Sequence, residues 1–234
     1  MRERNGRELV EMGREAILNA IRRGLRRGPL AADQRAMLHA RLAAHPRHLI
    51  PARSRLPHAE ALAQFVRNVE KEFGSVARVA DISQVPDAVA DYVAAQNLPM
   101  SVVVAPHPVL QELPWSNRPL LSVRTGRAEA SDQISVQRAF AGISETGTVM
   151  LPATAETPAT LNLLPDTEIV VLSASRVVGP YEDAWDLLRR ELGDMPRNVM
   201  LVTGPSRSAD IEQALELGAH GPRQLHIVLV EDGG

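Results

Sequence analysis

The sequence predicts an α/β protein built on a largely parallel β-sheet. From about residue 75 to residue 230, short aliphatic runs alternate with stretches that carry the 3.6-residue period of an amphipathic helix. The runs at 169–172, 199–203 and 225–230 are almost entirely aliphatic, which is typical of strands buried on both faces of a parallel sheet. With 234 residues, 44% of them hydrophobic, the chain is long enough to bury a substantial core.

The helical and extended segments follow one another in a regular order. Helices are predicted at 7–27, 33–44, 58–73, 85–95, 181–191 and 209–217, and strands at 76–80, 102–105, 120–123, 139–143, 148–151, 169–172, 199–203 and 225–230. Gly28 and Pro29 end the first helix, Asp33 is the expected N-cap of the second, and Gly74 ends the third. An irregular connector with three prolines, at 45–57, follows the second helix.

Charge divides the chain into two expected domains. Residues 1–57 carry thirteen arginines against five acidic residues, whereas residues 58–234 carry 13 basic and 23 acidic residues. We therefore predict a basic helical N-terminal arm at 1–57 and an α/β domain at 58–234. Acidic residues interrupt the arginines of the arm and aromatic residues make up only 3% of the chain. A solvated face, or one docked on an acidic partner, is thus favoured over nucleic-acid binding.

Composition and spacing argue against several other function classes. The chain contains no cysteine, so it offers no thiol nucleophile and no thiolate ligand for an iron–sulfur cluster. Its histidines lack the spacing of a metal site, and no metal is expected. The N-terminus lacks the apolar core of a secretory signal, and no apolar run reaches the roughly 18 residues of a membrane span. The cytoplasm is the expected compartment.

The segment 199–212 joins a predicted strand to a predicted helix through a tight turn. Gly204 permits close backbone approach, a serine caps the helix, and Arg207 adds a bidentate donor. This arrangement predicts an anion site for a phosphate or a carboxylate. The alternative is that the serines and the aspartate are plain helix caps. The residues of this candidate anion turn are Gly204, Pro205, Ser206, Arg207, Ser208 and Asp210.

A predicted hairpin turn at 142–149 places a carboxylate among hydroxyl groups. Glu145 lies close to Thr146 and Thr148, and Gly147 allows the turn. In such a turn Glu145 would act as a general base, a covalent carboxylate or a polar substrate contact. The alternative is a hairpin whose polar residues simply cap the loop.

The segment 218–223 offers an imidazole in His220 and a guanidinium in Arg223 between the last helix and the last strand. In a βαβ unit a helix that starts at one edge of the sheet ends near the opposite edge. This topology separates His220 from Ser206 unless the helix runs obliquely. Otherwise His220 serves the fold, a contact between the subunits of a homo-oligomer, or the site of a neighbouring chain.

Four segments together resemble the LUD domain of the lactate utilization protein C family. They are Ala-Gly-Ile-Ser-Glu-Thr-Gly-Thr at 141–148, Leu-Pro-Asp-Thr-Glu-Ile-Val-Val at 164–171, and the segments 204–212 and 218–223. Weaker similarity extends back through residue 60 and into the N-terminal helix. The resemblance implies a three-layer α/β fold with a mostly parallel sheet, like that of ribose-5-phosphate isomerase, glucosamine-6-phosphate deaminase and the CoA transferases.

The resemblance also implies a function and partners. The chain would be the subunit without clusters in a bacterial complex that oxidises L-lactate to pyruvate, with cysteine-rich iron–sulfur proteins as partners that hold the only cofactors. Relatives usually carry an arginine within the stretch that is 152–161 here, and this chain has none there. A small carboxylate ligand would then depend on Arg207 or on backbone amides.

Two other classes of function stay open. The Ser-Glu-Thr-Gly sequence at 144–147 is similar to the Ser-Glu-Asn-Gly loop of CoA transferases, in which the glutamate is the covalent carboxylate. One alternative is therefore an independent enzyme of the CoA-transferase or sugar-phosphate-isomerase type with Glu145 as its catalytic carboxylate. The other is a ligand-binding protein without catalysis.

Overall fold

The computed structural model describes residues 2–209 and 215–231. Its helices are α1 (Arg2–Gly24), α2 (Ala32–Ala44), α3 (His58–Lys71), α4 (Val85–Ala95), α5 (Pro108–Gln111), α6 (Thr160–Leu163) and α7 (Tyr181–Leu192). Its strands are β1 (Ser75–Val79), β2 (Ser101–Val104), β3 (Ser122–Thr125), β4 (Ile134–Arg138), β5 (Ala141–Ile143), β6 (Thr148–Pro152), β7 (Thr167–Ser173), β8 (Val177–Val178), β9 (Val199–Val202), β10 (Arg207–Ala209), β11 (Leu215–Leu217) and β12 (Gln224–Val230).

The chain forms two compact units, of which the first ends at His48 and the second begins at Leu49. The division therefore falls nine residues before the predicted boundary at 57. Residues 49–57 belong to the second unit, where Ser54 is buried against the chain near Gly179. In the first unit α2 starts after Ala31, so Asp33 lies in the first turn of the helix and does not cap it.

The second unit is built on a six-stranded parallel sheet with the strand order β1-β12-β7-β4-β2-β3. The central strands β7 and β12 pair over seven residues, from Thr167 with Gln224 to Ser173 with Val230. Their aliphatic side chains are buried on both faces, as their composition predicts. On one face, valines of α4 pack against β2, β4, β7 and β12. The predicted α/β fold with a mostly parallel sheet is confirmed.

A second, four-stranded sheet with the order β8-β5-β6-β9 covers the other face together with α3. Strands β5 and β6 form the predicted antiparallel hairpin. The prediction that 199–203 is a strand of the parallel sheet is wrong. This strand, β9, pairs antiparallel with β6 at the edge of the smaller sheet, and Leu201 is 40% exposed.

Helix α3 lies unusually close to the smaller sheet. At Gly147 a Cβ atom would overlap the backbone of Asn68, and at Gly204 it would overlap the carbonyl oxygen of Glu72. Both glycines have positive φ angles, +69° and +67°, which L-residues with side chains adopt only at a cost. The two contacts fix the turn of the β5–β6 hairpin and the chain after β9 to the same helix.

Strand β4 was not predicted from the sequence. Its residues alternate apolar and polar side chains, but the polar ones are buried as well. Ser135 donates to the carbonyl oxygen of Leu161 at 2.7 Å, and Gln137 donates to the side chains of Asn162 and Glu168. Helix α6 and β7 thus accept hydrogen bonds from polar groups that a sequence pattern would place in solvent, while Gln137 Oε1 and Glu168 Oε2 are buried without a partner among the described residues.

The predicted helix at 209–217 is wrong. Strands β10 and β11 pair antiparallel, from Arg207 with Leu217 to Ala209 with Leu215, and residues 210–214 lie outside the described residues. Ser206 accepts from the amide of Gly218 at 3.0 Å and donates its own amide to Pro222 at 2.8 Å. These contacts between distant residues hold the two ends of the segment together, and they override the local preference for a helix.

Glu168 provides a test of the buried polar cluster. Burial raises the pKa of Glu168 from 4.5 to about 8, against the opposing effect of the hydrogen bond from Gln137. Between these pH values the unfolded chain loses the proton that the native state keeps, so the free energy of unfolding should fall as the pH rises from about 4.5 to about 8. Glu168→Gln should remove this part of the decline, on the order of a few kcal/mol. Denaturant titrations at pH 5, 6.5 and 8 measure it. Exposed Glu112→Gln is the control, and equal slopes in both variants would contradict the assignment.

The contact between Gly204 and α3 provides a second test. Gly204→Ala should destabilise the fold, because it adds both an unfavourable φ and a clash with the carbonyl oxygen of Glu72. Gly193 has nearly the same φ angle, +68°, but nothing lies within 4 Å of its would-be Cβ atom. Gly193→Ala therefore measures the conformational cost alone, about 1–2 kcal/mol. Chemical denaturation should show a larger loss for Gly204→Ala, and equal losses would rule out the close contact.

Candidate functional site

The turn of the β5–β6 hairpin holds Glu145 in an ion pair. The side chain of Glu145 is only 9% exposed and accepts from Arg53 at 2.7 Å. The side-chain amide of Asn68 donates to the carbonyl oxygens of Ser144 and Glu145, at 2.8 and 3.1 Å. The carboxylate predicted to be catalytic is thus paired with a cation, and the backbone of its turn is hydrogen-bonded to α3.

A cluster of hydroxyl groups lies beside this turn. The Oγ1 atom of Thr148 lies 2.6 Å from Thr146 Oγ1, 2.6 Å from Thr203 Oγ1 and 2.9 Å from the hydroxyl oxygen of Tyr181. These contacts satisfy the hydroxyls among themselves and link the hairpin to β9. Of the predicted site residues, Thr146 and Thr148 therefore belong to a hydrogen-bonded core of the smaller sheet.

The candidate anion turn contacts the loop at 218–223. The amide of His220 donates to Ser206 Oγ at 3.2 Å, which places His220 next to Ser206. We expected these two residues to be far apart because a helix was predicted between them. The antiparallel pair β10–β11 takes the place of that helix and brings its two ends together. Pro205 is partly buried in the same turn. Arg223 lies 3.7 Å from Asp166 and covers Gly218.

Internal contacts also hold the groups that were expected to bind the anion. Arg207 donates to the carbonyl oxygen of Glu72 at 3.0 Å, and its guanidinium lies 3.6 Å from the ring centre of Phe73. The amide of Ser206 is bonded to Pro222. Asp210 lies outside the described residues, and of Ser208 only the backbone is described, in β10. The anion-binding role of this turn stays a prediction. The helix N-terminus on which that prediction was based is replaced by strand β10.

The two predicted site segments adjoin each other along α3. Gly147 packs on Asn68 and Gly204 packs on Glu72, and these two helix residues are about one turn, roughly 6 Å, apart. The hydrogen bond between Thr148 and Thr203 joins the segments directly. The structure therefore brings the segments of Glu145 and Ser206 to one edge of the smaller sheet.

A cavity lies at the opposite end of the hairpin. Its volume is about 260 Å³, and it is lined by His107, Arg138, Ala139, Phe140, Pro152, Thr154, Glu156, Thr157, Arg176, Glu191 and Leu192. Strand β6, five residues long, separates it from the hairpin turn that carries Glu145, a distance of about 16 Å along the strand. Glu145 and this cavity are therefore separate candidates.

The cavity lies at the carboxyl edge of the parallel sheet. His107 follows the end of β2 by three residues, and Arg138 is the last residue of β4. Within this sheet, the strand that follows β2 in the chain is β3, which lies on the side of β2 away from β4. The strand that follows β4 is β7, which lies on the side of β4 away from β2. The gap between β2 and β4 is therefore the point where the direction of winding reverses, which is the usual place of a ligand site in open α/β sheets.

His107 faces the cavity as a neutral hydrogen-bond donor. Its Nδ1 atom accepts from the amide of Val109 at 3.2 Å, so the proton of the neutral ring is on Nε2. Burial and, to a smaller extent, the charge of Arg138 lower the pKa of His107, while Glu156 opposes them. At neutral pH the ring is uncharged and Nε2–H is available to a ligand.

Two arginines supply positive charge to the cavity. Arg176 donates to both carboxylate oxygens of Glu191, at 2.8 and 2.9 Å, and to the carbonyl oxygen of Phe140 at 2.8 Å. This ion pair largely cancels its charge. Arg138 lines the same cavity from β4, so a carboxylate ligand need not depend on Arg207 or on backbone amides, as the sequence had suggested.

The stretch without arginine forms a wall of the cavity. Thr154 Oγ1 accepts from the amides of Glu156 and Thr157, both at 3.1 Å, and this turn fixes the loop after β6. The cavity was not predicted from the sequence because its lining comes from five segments that lie far apart in the chain. The sequence signal that could have indicated the cavity is a polar residue soon after the end of an aliphatic run, of which His107 after β2 is the clearest example.

The described part of the chain shows neither a metal-binding cluster nor a membrane-crossing helix. Within it, no group of three or more histidine and acidic side chains is placed to hold a metal ion. Within the same residues, no helix is both long and apolar enough to cross a membrane.

Comparison with known proteins gives relatives that match part of the chain. An uncharacterized protein of Neisseria meningitidis serogroup B is 39% identical over 89 residues, which are 38% of this chain and 38% of that protein. Lactate utilization protein C of Bacillus velezensis is 36% identical over 109 residues, and that of Bacillus subtilis is 35% identical over 107 residues. Each alignment covers 44% of this chain and 45% of the relative, so the similarity spans under half the length of these curated relatives.

A solved structure and a family model match more of the chain. The crystal structure of a DUF162 family protein from Deinococcus radiodurans superposes with a TM-score of 0.57 at 22% identity, over 75% of this chain and 99% of that one, and supports the fold. The model of the LUD domain matches residues 62–230. These residues include both sheets and the cavity between β2 and β4, and the chain belongs to the LUD domain family.

Proposed function

We propose that this chain serves in lactate utilization by binding a small carboxylate, of the 2-hydroxy acid class, in the cavity between β2 and β4. The observation that carries the proposal is that Arg138 and the neutral donor His107 line one cavity at the carboxyl edge of the sheet. A guanidinium binds a carboxylate through charge-assisted hydrogen bonds, and Nε2–H of the imidazole donates to a neighbouring hydroxyl or carboxylate oxygen. Relatives named lactate utilization protein C support the substrate class.

We also infer that oxidation requires partner proteins. The chain contains no cysteine, and iron–sulfur clusters are held mainly by cysteine thiolates. Cysteine-rich iron–sulfur proteins would accept the electrons, and this subunit would bind and orient the acid. The CoA-transferase alternative gains nothing from the geometry, because Glu145 is paired with Arg53 about 16 Å along β6 from the cavity.

Arg138→Gln tests the site. It should weaken binding of L-lactate by roughly 10- to 100-fold, since a hydrogen bond to a charged group contributes about 1.5–3 kcal/mol. Titration calorimetry or ligand-observed NMR at millimolar lactate measures the change. Arg207→Gln is the matched control from the candidate anion turn and should leave the affinity unchanged. If Arg207→Gln weakened binding and Arg138→Gln did not, the ligand site would lie at that turn. A bacterial strain that carries Arg138→Gln but still grows normally on L-lactate would contradict the role of this cavity in lactate utilization.

His107→Asn tests the neutral donor. The asparagine oxygen can still accept from the amide of Val109, but the substitution removes the Nε2–H group that faces the cavity. Binding of L-lactate should weaken by roughly 3- to 10-fold, the effect of one uncharged hydrogen bond, about 0.5–1.5 kcal/mol. The same titration with propionate, which keeps the carboxylate of lactate but lacks its 2-hydroxyl, shows which of these two groups His107 contacts. His107→Asn should weaken lactate binding more than propionate binding, and an equal loss would contradict a contact to the hydroxyl.

A further inference from the structure

The described side chains of the first unit form no buried hydrophobic cluster. Between residues 13 and 48, where its side chains are described, none is buried and only Leu18 is partly buried. The three buried clusters of the described chain all lie in the second unit. Helices of 23 and 13 residues gain most of their stability in proteins from packing of an apolar face, and residues 13–48 bury no such face within this unit.

Both helices nevertheless carry large apolar side chains at helical spacing. On α1, Ile17 is 63% exposed and Ile21 is 51% exposed, one turn apart. On α2, Leu38 and Leu42 are 40% and 70% exposed, also one turn apart, and Met37 beside Leu38 is 64% exposed. Such exposed apolar faces mark interaction surfaces.

Charge identifies the surface that fits this unit. Residues 1–48 carry eleven arginines and five acidic residues, a net charge of +6, and residues 49–234 carry 15 basic and 23 acidic residues, a net charge of −8. Two first units would repel each other, whereas the first unit of one chain and the second unit of another attract. We propose that the α1–α2 unit docks, through Ile17, Ile21, Met37 and Leu42, on the acidic second unit of another copy of this chain.

Reciprocal docking would form a dimer of ordinary size. A 23-residue helix is about 35 Å long, and two such helices with their α2 partners can bury the more than 1,000 Å² that a specific interface needs. The basic residues of the unit would lie at the rim of the interface. The association should therefore weaken as the salt concentration rises.

The experiment uses the full chain. Sedimentation velocity from 1 to 100 μM should show a dimer. The double variant Ile17→Gln, Ile21→Gln should raise its dissociation constant at least tenfold. Glutamine forms helices at least as well as isoleucine, so the loss would not come from unfolding of α1. Leu120→Gln, at an 83% exposed position of the second unit, is the control and should leave the dimer intact. A wild-type chain that stays monomeric at 100 μM, or an equal effect of both variants, would overturn the proposal.

Cross-linking identifies the receiving surface. Because the chain has no cysteine, Ile21→Cys gives a unique attachment point for a photoreactive maleimide. The labelled chain is mixed with ¹⁵N-labelled wild-type chain, and mass spectrometry identifies the cross-linked peptides. Links from position 21 to ¹⁵N peptides of residues 49–234 support the proposal. Links only to the unlabelled peptides of residues 49–234, or mainly to the first unit of the other chain, overturn it.

Discussion

The close approach of α3 to the smaller sheet is the constraint on which the rest of the second unit depends. Two glycines with positive φ, Gly147 and Gly204, leave room for the helix backbone at Asn68 and Glu72. Asn68 then bonds the hairpin turn directly. Because α3 also packs on the parallel sheet through Phe65 and Val69, this single helix fixes the distance between the two sheets. The position of the hairpin, and of everything at its two ends, follows from that distance.

The two ends of the hairpin differ in electrostatic character. At the turn, Glu145 and Arg53 cancel one another and the threonine hydroxyls bond among themselves, so the polar groups there are largely satisfied. At the base, Arg176 is paired with Glu191, and His107, with its ring proton on Nε2, lines the cavity together with Arg138. A cavity lined by polar side chains at the carboxyl edge of an open sheet is the usual place of a ligand site, whereas satisfied polar networks hold a fold together. The hairpin turn has the more distinctive sequence motif, yet its polar groups are the better satisfied of the two.

The sequence predicts those elements whose structure is decided locally. Strands β7 and β12 contain the aliphatic runs 169–172 and 227–230, and α4 has a clear helical period, so the sequence predicts each of them to within two residues. Strand β4 was missed because Ser135 and Gln137 are buried against groups far away in sequence. The segment at 209–217 was assigned to a helix because its pairing depends on Ser206 and Gly218. The cavity was missed for the same reason, since His107, Arg138 and Thr154 meet only through the tertiary fold.

The pairing of β1 with β12 has a consequence for synthesis of the protein. Ser75 pairs with His226, 151 residues later, so the first strand of the sheet has no neighbour until the last one is made. At roughly 5–20 residues per second, the ribosome takes about 8–30 seconds to cover that interval. Throughout this time α3 and β1 have no completed sheet to pack on, and their apolar residues are available to chaperones or to other nascent chains. Closure of the parallel sheet therefore waits until β12 has been synthesised.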